Sequence, residues 1–127
     1  MPESFQCKRH LPRLCNNQWT CGFWPGEIWL AYEATGDEKF KTAALIQVDS
    51  FADRIARKVE VDHHDMGFLY SPTCVAAWKL VGSETGKNAA IAAADQLLTR
   101  YQPSGKFLQA WALWTTPATT ATSSTVC

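Results

Sequence analysis

The chain has no apolar stretch near the ~20 residues that a helix needs to cross a bilayer. No charged, apolar, small-residue leader is expected from its opening residues. Neither sign of charge is in excess, since 12 Lys and Arg face 12 Asp and Glu. A field that would gather nucleic acid or an anionic membrane is therefore not expected. The five cysteines are odd in number and irregularly spaced, and no two form a Cys-x-x-Cys pair. That argues against a zinc ribbon and leaves reduced thiols, in the cytoplasm, as the expected state. No segment alternates apolar and polar residues as a half-buried strand does. The expectation is a single all-α domain, from 127 residues of which 46% are hydrophobic.

What is present reads as helices with clear punctuation. Pro25 suits the first turn of a helix. Ile28, Trp29, Tyr32 and neighbouring alanines follow at helical spacing, and Gly36 ends the run. Asp37 can cap a second helix. In that helix Phe40, Ala44, Val48, Phe51, Ala52 and Ile55 make one apolar stripe. A loop over 58–65 precedes a third helix over 68–81, in which Ser71-Pro72 is either an N-cap with its proline or a mild kink. Gly82 closes it. A fourth helix is expected over 84–101, followed by a turn at 102–105. Trp24, Trp29 and Trp78 fall at helical spacing and read as core, and Cys21 and Cys74 as small buried hydrophobes.

The pattern repeats. Ala31-Tyr32 and Ala77-Trp78, Gly36 and Gly82, and Ala43-Ala44 and Ala89-Ala90 each lie 46 residues apart. One helical hairpin with its connections has that length. Trp19, Asp65 and Trp111 share the same 46-residue spacing. In stacked hairpins, equal phase means one rim. Two aromatic platforms and one acid on a rim suit a ring-shaped ligand.

The densest chemistry is Asp62-His63-His64-Asp65, just ahead of the third helix. Proton transfer and metal binding both fit that composition. Ligands this close in sequence rarely converge on one ion, and no remote partner is evident, so no metal and no cofactor is expected. Asp65 can be an acid or a helix N-cap. His64 can touch a ligand or orient Asp65. His63 and Asp62 read as structural.

Three stretches carry a resemblance: NNQWTCGFWPGEIWLAYE at 16–33, VDHHDMGFLYSP at 61–72 and AADQLLTRYQPSGKFLQAW at 93–111. The chain resembles the unsaturated glucuronyl hydrolases, glycoside hydrolase family 88. The resemblance implies part of an (α/α)6 barrel, a toroid of six helical hairpins, of which this chain holds two and part of a third. It implies hydrolysis of unsaturated uronyl oligosaccharides derived from glycosaminoglycans, by acid-catalysed hydration of the C4=C5 double bond. It implies Asp65 as a catalytic acid, with Trp19, Phe23, His64 and Trp111 contacting the sugar. The family's second acid falls at Thr125.

The ends depart from the family. Restoring one base after the Trp111 codon can turn the Thr/Ser/Ala-rich tail into WGALDDPGNYRYIIDCL, the family's own continuation. The segments 112–127 and 6–14 are therefore expected to be out of frame, and 1–127 to be one incomplete toroid domain. Three other readings stay open. They are a catalytically inactive truncated fragment, a helical-repeat binding scaffold, and an unsaturated rhamnogalacturonyl hydrolase, against which the DHHD motif argues.

Overall fold

The computed structural model describes residues 16–110. Trp111, Thr125 and the two segments expected to be out of frame lie outside the described residues.

Two helical hairpins make up most of the described residues. In the first, α1 (Phe23–Thr35) and α2 (Glu38–Ala56) are joined at Gly36 and Asp37. In the second, α3 (Met66–Tyr70) continues through a π-helical turn (Ser71–Val75) into α4 (Ala76–Val81), and α5 (Glu84–Leu98) returns. The hairpins lie side by side, with α2 against α5 and α1 against the π-helical turn. Paired hairpins are what the 46-residue spacing predicts, and they are arranged as part of the helical barrel that the resemblance implies.

The two connections are built alike, and each can be read from local chemistry. Gly36 and Gly82 both take the left-handed conformation, at φ 67° and 69°, that a side chain would oppose. The next residue then caps the following helix. Asp37 Oδ1 accepts from the Lys39 amide at 3.0 Å, and Ser83 Oγ from the Gly86 amide at 3.1 Å. Such caps contribute about 1 kcal/mol each.

Pro72 accounts for the π-helical turn. It has no N–H to offer the carbonyl four residues back, and the helix widens there instead of breaking. Around this turn the hairpins are stitched together. Trp29 is buried, and its Nε1–H donates to the Thr73 carbonyl at 3.1 Å. The Tyr70 hydroxyl donates to the Phe51 carbonyl at 3.1 Å, with the two rings edge to face. Ala44, Val48, Phe51 and Ile55 of the α2 stripe are buried beside Met66, Leu69 and Cys74.

Three expectations need correction. Helix α5 ends at Leu98, not Tyr101. Tyr101–Gln102 and Phe107–Leu108 pair instead as a short antiparallel hairpin around the expected turn. Two-residue strands are too short to carry an alternation pattern. Trp24 and Trp78, 60% and 38% exposed, are not core among the described residues, because they stand on helix faces that neither hairpin covers. No helix among the described residues is long and apolar enough to cross a membrane.

Candidate functional site

Trp19 and Gly22, ahead of α1, lie against Phe68 and Leu69 of α3. Gly22 makes this possible. A Cβ there would sit 2.1 Å from the Phe68 carbonyl oxygen and 2.6 Å from the Leu69 Cα, so only glycine allows the approach. Phe68 then meets both aromatic candidates. Its ring centroid is 6.2 Å from that of Trp19, edge on, and 5.8 Å from that of Phe23. All three rings are about half exposed. Three unburied aromatic rings joined through Phe68 form a platform on which an apolar sugar face can stack.

Asp65 opens α3, one helical turn before Phe68. It occupies the N-cap position, yet its side chain makes no capping hydrogen bond. The carboxylate faces two imidazoles instead. Oδ1 is 3.4 Å from His64 Nε2, and Oδ2 is 3.7 Å from His63 Nδ1. It is about one-fifth exposed, enough for a ligand to reach it. His64 is the more open of the two histidines.

The loop carrying this acid is held on both sides by buried arginines. Arg54, from α2, donates Nε–H to the Val59 carbonyl at 3.1 Å and Nη2–H to the Glu60 carbonyl at 2.7 Å. Its Nη1 reaches Asn16 Oδ1 and the Gln18 carbonyl, each at 3.1 Å. Burial pushes the Arg54 pKa below the ordinary guanidinium value. Arg100, just past α5, donates from Nη1 to Asp62 Oδ1 at 2.6 Å and to the Asp62 carbonyl at 3.1 Å. Its Nε and Nη2 bind the Gln109 and Ala110 carbonyls at 2.9 and 3.3 Å. Asp62 is thus spent on Arg100.

The candidate residues therefore fall into groups. Trp19 and Phe23 share the platform, and His64 and Asp65 share the acid loop next to it. Trp111 lies outside the described residues, although Ala110 before it is tied to Arg100. No three His, Cys, Asp or Glu among the described residues are grouped to hold a metal ion. Sequence reasoning missed Phe68, which joins both aromatics, and the two arginines. The arginines carried a signal, because Arg54 and Arg100 lie 46 residues apart, as do Asn16 and Asp62.

No protein-family model matches the chain. Individual proteins do. An unsaturated chondroitin disaccharide hydrolase of Streptococcus pneumoniae is 50% identical over 100 residues, which are 79% of this chain and 25% of that protein. The crystal structure of an unsaturated glucuronyl hydrolase from Bacillus sp. GL1 superposes with a TM-score of 0.77 at 41% identity, covering 82% of this chain and 28% of that one. A Streptococcus agalactiae unsaturated glucuronyl hydrolase mutant, solved with dGlcA-GalNAc6S, matches with a TM-score of 0.66 at 48% identity, over 68% of this chain and 23% of that one. The chain spans about a quarter of the length of the curated relatives it matches.

Proposed function

The chain belongs to the unsaturated glucuronyl hydrolases, and we propose that it supplies one acid and the aromatic wall of a site that hydrates unsaturated uronyl saccharides. The substrate class is the disaccharide or short oligosaccharide that a lyase leaves from a glycosaminoglycan, ending in a uronic acid with a C4=C5 double bond. The acid protonates C4, and positive charge builds at C5 and the ring oxygen. Water adds at C5, and the resulting hemiketal opens and releases the aglycone. The roles assigned are Asp65 as one of the two acids, His64 as a sugar contact, and Trp19, Phe23 and Trp111 as the surfaces on which the sugar stacks.

One observation carries the reading: the Asp65 carboxylate stands at a helix start without capping it. A purely structural aspartate there would accept the free amides of the first turn. This one faces His64 and His63 beside the Trp19–Phe68–Phe23 platform. Where the resemblance puts the second acid, position 125, the chain has threonine. Threonine does not protonate carbon at a useful rate, so the chain by itself is expected to bind the saccharide and turn it over poorly.

The test is optical. Unsaturated chondroitin disaccharide is added to the purified chain, and the absorbance of the C4=C5 double bond is followed alongside a binding isotherm. Binding that weakens in Trp19→Ala, with little loss of absorbance, is the expected result. Absence of binding would sink the site assignment. Turnover at the rate of a complete hydrolase would overturn the one-acid reading.

A further inference from the structure

We propose that His63 is a positioning residue for Asp65, holding the acid by its backbone amide through one imidazole tautomer that is anchored on Arg54. The proposal rests on the reading of Asp65 given above.

The ring's two hydrogen bonds, taken together, select the tautomer, the amide at 3.1 Å lying nearer Nδ1 than the carboxylate Oδ2 at 3.7 Å. His63 Nδ1 lies 3.1 Å from the Asp65 amide nitrogen. An amide N–H can only donate, so Nδ1 must present its lone pair. His63 Nε2 lies 3.0 Å from the Glu60 carbonyl oxygen, which can only accept, so Nε2 must carry the proton. Both ends require the same neutral Nε2–H form. An imidazolium could keep the Glu60 bond but could not accept from Asp65.

The anchor is firm because Glu60 is fixed independently. Its backbone is left-handed, at φ 47°, and Lys58 two residues earlier is at φ 54°. Non-glycine residues take that conformation at a cost and keep it only when surrounding contacts impose it. Here Arg54 imposes it, since its Nη2 donates at 2.7 Å to the same Glu60 carbonyl. The guanidinium thus fixes the carbonyl, the carbonyl fixes the imidazole, and the imidazole fixes the amide of the acid. Asp65 needs such a hold because its own side chain caps nothing and cannot locate itself. Of the candidate site residues His63 meets only Asp65 in this scheme, its Nδ1 3.1 Å from the amide nitrogen and 3.7 Å from the carboxylate Oδ2. It acts only through Asp65, as an outer group orients a functional one.

Amide isosteres separate the two ends of the ring. His63→Asn offers an amide oxygen near the place of Nδ1, and His63→Gln offers an amide nitrogen near the place of Nε2. The measurement is hydrogen exchange at the Asp65 amide of the full 127-residue chain, read by nitrogen-15 NMR, with the amides of α2 as internal reference. In His63→Asn the Asp65 amide is expected to stay protected within about threefold of the parent. In His63→Gln and His63→Ala it is expected to exchange about tenfold faster or more, as befits one lost hydrogen bond. The imidazole nitrogen-15 signals of the parent chain should be those of the Nε2–H tautomer at neutral pH. Equal protection in the Asn and Gln variants, or unchanged protection in His63→Ala, overturns the proposal. So does an Nδ1–H ring. Affinity for unsaturated chondroitin disaccharide should follow the same order, Asn above Gln. If the parent chain binds no saccharide, the functional reading fails, while the exchange result still decides what His63 does.

Discussion

Arg100 stands to Asp62 as Arg54 stands to Asn16. Each guanidinium reaches back 38 residues to a side-chain Oδ1, at 2.6 Å in one hairpin and 3.1 Å in the other. Each also gathers backbone carbonyls from the segment that follows its own helix. The arginine is therefore part of the repeat. It ties the segment leading into a hairpin to the segment leaving that hairpin, and in the second hairpin the tied segment is the acid loop. A buried guanidinium suits this task because its donors are fixed in one plane and stay charged.

The repeat makes a prediction about Asp62. The first hairpin already uses an asparagine in that place, so Asp62→Asn should keep the Oδ1 acceptor and cost less than about 1 kcal/mol, the ordinary worth of a partly exposed ion pair. Arg100→Ala strips the Asp62, Gln109 and Ala110 carbonyls of their donor and should cost about 3 kcal/mol. Urea unfolding of the two variants gives the comparison. Similar losses in both would mean that the charge, not the hydrogen-bond geometry, holds the loop.

Gly22→Ala should damage the platform before it damages the helices. The added carbon would meet the Phe68 carbonyl at 2.1 Å, which forces α1 and α3 apart. The expected outcome is loss of near-ultraviolet aromatic ellipticity with far-ultraviolet helix signal largely kept. Gly36→Ala has open space around the new carbon and only a strained φ of 67°. It should cost about 1 kcal/mol and leave the aromatic signal alone.

Alkaline pH should weaken the core. Burial pushes the Cys74 thiol from 9.0 up to about 12, and raises the Tyr70 hydroxyl above its ordinary 10.0. Both groups then hold their protons more tightly folded than unfolded. The unfolded chain releases them first, so stability is full below pH 9 and falls as pH rises, Cys74 contributing up to pH 12. Each group adds a slope of at most about 1.4 kcal/mol per pH unit. Unfolding midpoints measured from pH 8 upward should fall, and Cys74→Ala with Tyr70→Phe should flatten the curve. An unchanged slope in that double variant would place the alkaline lability elsewhere.

The uncovered faces should be sticky. Trp24, Leu30, Ile46 and Leu98 are each at least 60% exposed, though they are among the most apolar residues in the chain. A repeat hairpin buries such faces only against its neighbours. The isolated chain should therefore bind 8-anilinonaphthalene-1-sulfonate, unfold with little cooperativity and self-associate as its concentration rises. A sharp thermal transition in a monomer that leaves the dye dark would contradict this.

The shifted-frame reading of residues 112–127 is checked at the DNA. A single restored base after the Trp111 codon should write an aspartate at position 125. A chain remade with that tail should hydrate the unsaturated disaccharide faster than the present one. An unambiguous visible frame at high depth would remove sequencing error as the origin.

Much of the fold was legible because it depends on neighbours in the chain. A glycine that can turn left-handed, followed by Asp37 or Ser83 that can cap, ends one helix and starts the next through contacts a few residues apart. The 46-residue spacing announced the hairpins, and the density of Asp62 to Asp65 pointed to the candidate site. The sequence left Asp65 between acid and cap, and left Trp24, Trp29 and Trp78 all looking like core. Only the tertiary structure shows that the Asp65 side chain caps nothing, and only it sorts the tryptophans. Whether a tryptophan is buried depends on which helix faces it, and of the three only Trp29 is buried, with its indole N–H on the Thr73 carbonyl. The arginines found theirs mostly among backbone carbonyls, which every residue carries and no sequence pattern distinguishes. The acid loop's shape is likewise a product of convergence. Arg54, Glu60, His63 and Asp65 form one chain of hydrogen bonds only once α2 delivers the guanidinium to the loop.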